Sequence, residues 1–318
     1  LRANADAAVV RLKELPGKAI AVCTDCNSRY VYLNPYMGGL IAVAEAARNV
    51  ACTGAEPVAI TNCLNFGNPY NPEVYWQFRE ALRGMGDACR VLETPVTGGN
   101  VSFHNESRAA TKLGRKGRTV FPTPAIGMVG LIDDVSTVVG CGFRAEGDCV
   151  VLIEAQDHLR NSGLGGSEYI KQIHGLITGD APYLDIEAEK RLQQFIIQAI
   201  RRRLVRSAHD VSEGGLAIAL AEKAIHSHGE NAAALGARID LQRPLSAATL
   251  FGEIQSRILV SVEPSALSAL ETLAQSHALR TTRIGVVERD VFSLHDVVQT
   301  SVHELRRAYE SALPALLA

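Results

Sequence analysis

"GGLIAVAEAARNVACTGAEPVAITNCLNF", residues 38–66, changes its period halfway along. From Gly38 to Thr53, Leu40, Val43, Ala44, Ala47 and Val50 recur at helical spacing and alanine fills most of the rest. Gly54 stops that helix, and "PVAITNCLNF" returns as a strand. A helix turning back into a strand over so short a connection predicts a helix laid against a sheet. Glu45 and Asn49 lie four residues apart on the face opposite the apolar stripe, a spacing that lets both reach one ion.

Working outward, residues 19–26 and 30–33 alternate like two strands joined at Asn27 and Ser28. Asn71-Pro72 supplies an N-cap and a first-turn proline for a helix that carries Val74, Phe78, Ala81, Leu82, Met85 and Cys89. "TPVTGGNVSF" and "PAIGMVGLI" are two more strands. The order strand, strand, helix, strand, helix, strand, strand is that of an α+β layer with helices on one sheet face. Between the last two strands, residues 108–118 carry Arg108, Lys112, Arg115, Lys116 and Arg118; a solvated hairpin loop is favoured over a phosphate or partner site. Residues 133–147 look like a connection to a second unit. In it "DCVVLIE" is a strand, Gly165-Gly166-Ser167 opens a helix, and 187–203 is a helix. "VRSAHDVSEGGLAIALAEKAI" reads as strand, polar turn, helix; "LFGEIQSRILVSV" ends in a strand, "PSALSALETLAQS" is a helix and "TTRIGVV" a strand.

A chain of 318 residues suggests two domains. Apolar residues at 47% and charged residues at 21% fit a globular enzyme with a substantial core. The net charge of −2 gives no field for nucleic acid or an anionic membrane, and neither is expected as a partner. No apolar run approaches the roughly 20 residues of a bilayer span. Residues 1–18 do not read as a signal peptide, so a cytoplasmic location is expected. The start at Leu1 is expected to mark a piece of a longer protein or a processed one. Seven cysteines argue for a reducing compartment. Cys23 and Cys26 form a C-x-x-C, but odd spacing on a strand sends the thiols to opposite faces, so neither zinc nor redox chemistry is expected there.

Four polar turns at strand ends and helix mouths could carry chemistry: Asp25; Asn62, Asn65 and Asn68; Gly98, Gly99, Asn100 and Ser102; and His209, Asp210, Ser212, Glu213, Gly214 and Gly215. Glycines let backbone N–H groups approach an anion, and Asp, Glu and Asn oxygens suit Mg²⁺ beside phosphate. Each turn alone also fits plain turn chemistry or a solvated helix face. No Walker or kinase signature is present. Spacing alone stops at a phosphate-binding α+β protein with Mg²⁺.

The stretches "DCNSRYVYLNPYMGGLIAVAEAARNVACTGAEPVAITNCLNFGNP", "TPVTGGNVSFHNES", "GMVG" and "AHDVSEGGLAIALAE" together resemble phosphoribosylformylglycinamidine synthase, a member of the aminoimidazole ribonucleotide synthetase superfamily. The similarity runs from about Asp6 to the C-terminal helix and covers only that family's second half. It implies a linker over 1–16, an N-terminal α+β domain over 17–134 whose sheet pairs with a sister sheet into a barrel, and a larger C-terminal α/β domain over 135–318. It implies an ATP-dependent C–N ligase converting formylglycinamide ribonucleotide and ammonia to the amidine. No catalytic residue is expected in this half, because the family's proposed catalytic histidine lies in the other. By the same resemblance Asn62, Gly99 and Ser212 contact nucleotide, and Asn62 replaces an aspartate common in small members. Ser102, Glu253, Gln255 and Ser256 are substrate contacts, and Asn100 is a Mg²⁺ ligand. Asp25, Glu45, Asn49 and Asp210 hold Mg²⁺ at an auxiliary nucleotide site where ADP is possible, and His104 is the least transferable position. The implied partners are the enzyme's N-terminal half, a glutaminase subunit, a small structural subunit and the ribonucleotide substrate, with a homodimer possible for this half alone. The alternatives are a nucleotide-binding scaffold without catalysis, or another superfamily enzyme such as a selenophosphate synthetase.

Overall fold

The computed structural model describes residues 5–106, 119–155, 162–229, 233–241 and 244–317. The basic stretch 108–118 lies outside them. Two sheets organise the chain. The first uses β1 (Ala8–Arg11), β2 (Ala19–Asp25), β3 (Glu56–Asn65), β4 (Val96–Ser102) and β5 (Thr123–Ile132), in the order β1-β2-β5-β3-β4. Its helices are α1 (Ser28–Leu33), α2 (Pro35–Ala51) and α3 (Pro72–Leu92). β5 alternates buried and half-exposed residues along nearly its whole length. Ile126, Met128 and Ile132 meet α2 and α3 on one face, while the residues alternating with them are half-exposed or exposed.

The second sheet has the order β12-β11-β8-β10-β6-β9-β7. Its strands are β6 (Cys149–Glu154), β7 (Ser207–Asp210), β8 (Leu235–Ile239), β9 (Arg257–Val262), β10 (Arg280–Arg289), β11 (Val291–Leu294) and β12 (Val298–Ser301). Every residue of β6 and β9 is buried. Cys149, Val151 and Ile153 pack beneath α5 (Ile186–Arg201) and α8 (Leu267–Ser276), while Val150 and Leu152 face α6 (Gly215–Ile225). A strand covered on both faces loses the polar-apolar alternation, which is why "CVVLIE" is apolar throughout. Shorter helices α4 (Glu168–His174) and α7 (Ala247–Phe251), and the terminal α9 (Val302–Leu317), complete this α+β fold.

Several expectations need correction. Residues 30–33 belong to helix α1, not a strand: Asn27 caps it by accepting from the N–H groups of Arg29 and Tyr30, and Tyr30 and Val31 are buried. The β-prone "YVYL" was overruled by that cap and by burial. The stretch 1–16 is not all linker either, since Ala8–Arg11 pairs antiparallel with Ala19–Val22 as β1. α2 starts earlier than Gly38, at Pro35 with Asn34 as its cap. It is also buried nearly all round, because α3 covers one side and α5 of the second domain another.

α2 and α3 touch backbone to backbone. A Cβ on Gly84 would lie 1.9 Å from the Tyr36 carbonyl oxygen, and one on Gly39 would lie 2.3 Å from that of Ala81. Gly→Ala ordinarily strengthens a helix by up to about 1 kcal/mol. Here Gly84→Ala and Gly39→Ala should each destabilise by about 1–3 kcal/mol in urea unfolding, because the helices must part. A stabilised variant would show that this close approach is not a constraint.

Candidate functional site

One rung of the first sheet joins the expected nucleotide positions: Asp25 pairs with Ile126, Ile126 with Asn62, and Asn62 with Gly99. At roughly 4.8 Å per strand, Asp25 and Asn62 lie about 10 Å apart along it. Gly99 has φ +150, and a Cβ there would fall 2.3 Å from both Asn62 O and Asn62 Oδ1. No side chain fits, so the second glycine of "TGGN" is demanded by Asn62. Asn100 pairs with Cys63 and Ser102 with Asn65 on the same edge. Ser102 Oγ donates to Asn105 Oδ1 at 3.3 Å, and Asn105 Nδ2 donates to the Ser102 and Phe66 carbonyls. Residues 96–101 are all exposed on this edge strand. His104 takes a left-handed φ of 59 and tilts toward Tyr70.

Asp25 begins a second, buried group. Asn49 Nδ2 donates to Asp25 Oδ2 at 2.9 Å. Glu45 Oε2 lies 3.4 Å from Arg48 Nη2, and Asp210 Oδ2 lies 3.5 Å from Arg48 Nε. Asn27 Nδ2 donates to Glu213 Oε1 at 3.2 Å, bringing the turn of Ser212 and Glu213 alongside. Burial first, then Glu213 and Asp210, hold the Asp25 carboxyl well above the usual range. Burial, then Asp25 and Glu213, do the same for Glu45. Burial and then Asp6 push Asp210 up to about 7. Asp210 Oδ2 is buried without a hydrogen-bond partner. Crowded hard oxygens, one of them held only by a long ion pair to Arg48, fit a cation of the Mg²⁺ kind.

Asp6, His209 and Glu222 were not singled out together in the sequence. His209 Nδ1 is 2.7 Å from Asp6 Oδ1 and its Nε2 is 3.1 Å from Glu222 Oε2, while Asp6 Oδ2 accepts the Asp210 N–H at 2.9 Å. Burial opposes protonation of His209, but Asp6 and Glu222 override it and raise the imidazole well above its ordinary value. Asp6, His209 and Asp210 come close enough together to hold a metal. With a carboxylate on each ring nitrogen, His209 is instead an imidazolium latch between the start of the chain and β7. Cys23 and Cys26 are free thiols, and burial raises both. Cys23 Sγ donates to the Ala46 carbonyl at 3.1 Å.

The turn after α7 is wholly buried at Glu253, Gln255 and Ser256. Glu253 Oε1 accepts the N–H groups of Glu168 and Gly214, both at 2.8 Å, and Oε2 accepts the Tyr30 hydroxyl. One carboxylate thus completes the N-termini of α4 and α6. Gln255 Oε1 accepts from Arg48 Nη2 at 3.2 Å, and Ser256 Oγ donates to Glu189 Oε2 at 2.5 Å. Arg48 Nη1 donates to the same Glu189 oxygen at 3.0 Å. Arg48 and Glu189 were missed; the available signal was an arginine inside an alanine-rich helix.

Residues 4–132 match the AIR synthase related protein family's N-terminal domain, and residues 145–296 match its C-terminal domain. The chain belongs to this family. It is 49% identical over 315 residues to the phosphoribosylformylglycinamidine synthase subunit PurL of Salinibacter ruber, covering 97% of this chain and 40% of that protein. It is 46% identical over 321 residues to PurL of Chlorobaculum tepidum, covering 98% and 41%. The chain therefore spans about two fifths of the length of these relatives. The structure of T. maritima PurL complexed with FGAR shares the fold, with a TM-score of 0.74 at 20% identity, over 94% of this chain and 47% of that one. No helix among the described residues is long and apolar enough to cross a membrane.

The raised carboxyls set a pH dependence. Without metal, the folded chain keeps protons on Asp25, Glu45 and Asp210 that the unfolded chain releases near pH 4. The unfolded state then binds fewer protons, so stability falls as pH rises from about 4 through the folded value of about 7 for Asp210. Melting temperature in EDTA should drop between about pH 5 and pH 8, and less steeply in Asp210→Asn. An unchanged slope in the variant would mean that Asp210 is not an uncompensated buried charge.

Proposed function

We propose that this chain is the C-terminal half of a PurL-type phosphoribosylformylglycinamidine synthase, an ATP-dependent ligase of purine synthesis. The observation that carries this is identity of 46–49% along almost the whole chain to proteins of that name. The rung from Asp25 to Gly99 supports it, because it lines up the candidate metal ligand Asp25 with the candidate nucleotide contacts Asn62 and Gly99 across neighbouring strands. In the proposed reaction the formylglycinamide amide oxygen takes the γ-phosphoryl group of ATP, and ammonia from a separate glutaminase subunit then displaces phosphate.

In this half, Gly99 leaves its backbone open to a phosphate, Asn62 lies beside the nucleotide, Asn100 offers an oxygen to Mg²⁺ and Ser102 orients the ribonucleotide. Mg²⁺ would neutralise phosphate charge as phosphoryl transfer proceeds. At the auxiliary site, Asp25, Glu45, Asn49 and Asp210 would hold Mg²⁺ on an ADP or ATP phosphate, with Ser212 beside the nucleotide. The burial of Glu253, Gln255 and Ser256 supports a positioning role for that turn rather than direct grip on substrate. Other partners on this reading are the N-terminal half and a small structural subunit. The half-exposed face of the first sheet and the exposed edge β4 suit pairing with a sister sheet, in the other half or in a second copy.

Mixed with a separately expressed N-terminal half, the chain should form amidine from formylglycinamide ribonucleotide, ATP and ammonium, whereas alone it should not. Turnover by this chain alone would contradict the division of labour, and failure of the mixture would contradict the ligase assignment. Mg-ADP at a hundredfold excess over its Kd should stabilise the chain by about 2.7 kcal/mol in thermal melting, and clearly less in Asp210→Asn. Absence of any shift in the wild type would make the cluster a purely structural feature.

A further inference from the structure

Arg48 touches both candidate elements of the molecule. On one side its guanidinium reaches Glu45 at 3.4 Å and Asp210 at 3.5 Å. On the other it donates to Glu189 at 3.0 Å and Gln255 at 3.2 Å, and Glu189 also receives the Ser256 hydroxyl. The group is fully buried, so water cannot substitute for a lost partner. Its long contacts are those to the carboxylate cluster, and its shorter ones are those to Glu189 of α5 and to Gln255 of the 253–256 turn. Ser256 sits at φ 60, a conformation that a non-glycine residue holds only when its surroundings impose it.

We propose that Arg48 is a positioning residue that couples occupancy of the Asp25–Glu45–Asp210 cluster to the geometry of the 253–256 turn. This rests on the reading that the cluster takes a metal nucleotide. A divalent cation among these carboxylates satisfies Glu45 and Asp210 and repels the guanidinium, which are two reasons for Arg48 to release its stretched contacts. It then bears fully on Glu189 and Gln255. The Ser256–Glu189 hydrogen bond and the left-handed turn tighten with it. Glu253, three residues earlier, carries the change to the first amides of α4 and α6 through Glu168 and Gly214. The two sites are distinct, and the shared guanidinium makes different contacts in the two states, as coupling requires.

Amide hydrogen exchange of this chain, with and without Mg-ADP, tests the coupling. The amides that depend on the turn are those of Glu168 and Gly214, bonded to Glu253, and Ala155, bonded to the Ser256 carbonyl. In the wild type Mg-ADP should slow their exchange about fivefold or more. In Glu189→Gln the melting shift with Mg-ADP should remain while the slowing at these three amides disappears. If Glu189→Gln fails to fold, Glu189→Asp, which withdraws the carboxylate by one methylene, is read in its place with the same expected loss. A melting shift without slowed exchange in the wild type overturns the coupling and leaves the nucleotide site standing. So does full slowing in the folded Glu189 variant. No melting shift in the wild type overturns both.

Discussion

A guanidinium buried in a low-dielectric interior has to be surrounded by acceptors, and Arg48 collects them from four separate parts of the chain: α2 itself, α5, the end of β7 and the turn before β9. Removing one partner from a buried ion pair typically costs about 3–5 kcal/mol, because the remaining charge is left uncompensated. The two domains are therefore registered on one another by a demand of charge as well as by apolar contact. Apolar contact does contribute: Ala51 and Cys52 at the end of α2 belong to the same core as Phe195 and Ile196 of α5. Gln193 of α5 adds a hydrogen bond to the Ala44 carbonyl of α2. The second sheet could not present Asp210 to Glu45 and Asp25 without that registration.

The arginine does not neutralise its surroundings. Asp25, Glu45, Glu189 and Asp210 all act on it, Glu213 acts on the same carboxyls, and the raised carboxyls record the imbalance. A structure built only for stability would have fewer acids here, since burying carboxylates of like charge is costly. The excess makes sense if a cation completes the group. His209, held between Asp6 and Glu222, fixes the Asp210 end of the cluster, and the N–H of Asp210 itself is tied to Asp6. The first residues of the described chain are thus part of the support for the site.

The periodic elements were legible in the sequence because local pattern and tertiary role agree there. α3, α5, α6 and the strands of "PVAITNCLNF", "PAIGMVGLI" and "DCVVLIE" stand where their spacing placed them, and α2 differs in starting three residues earlier. α1 was misread because tyrosine and valine favour strands when a cap is ignored, and its cap, Asn27, was taken for a turn residue. β1 was missed because four residues gain their structure only from the partner β2. β8, β11, β12 and α7 are equally short and equally dependent on neighbours. Of the site, the sequence offered residue types but little geometry. The spacing put Glu45 on the helix face opposite the apolar stripe, which fits an ion ligand or a solvated residue alike, and only the folded chain shows it buried. No local pattern relates Arg48 to Glu189, 141 residues away, or His209 to Asp6, 203 residues away.

We propose that the buried carboxylates at the meeting of α2, β2 and β7 form a cation site for a nucleotide phosphate. Diffraction from crystals of this chain grown with ADP and Mn²⁺ in place of Mg²⁺ addresses it most directly, because manganese reports its own position by anomalous scattering. An anomalous peak is expected among the side chains of Asp25, Glu45 and Asp210, with ADP phosphate beside it. ADP bound with manganese elsewhere, or neither ligand present in this cluster, would contradict it.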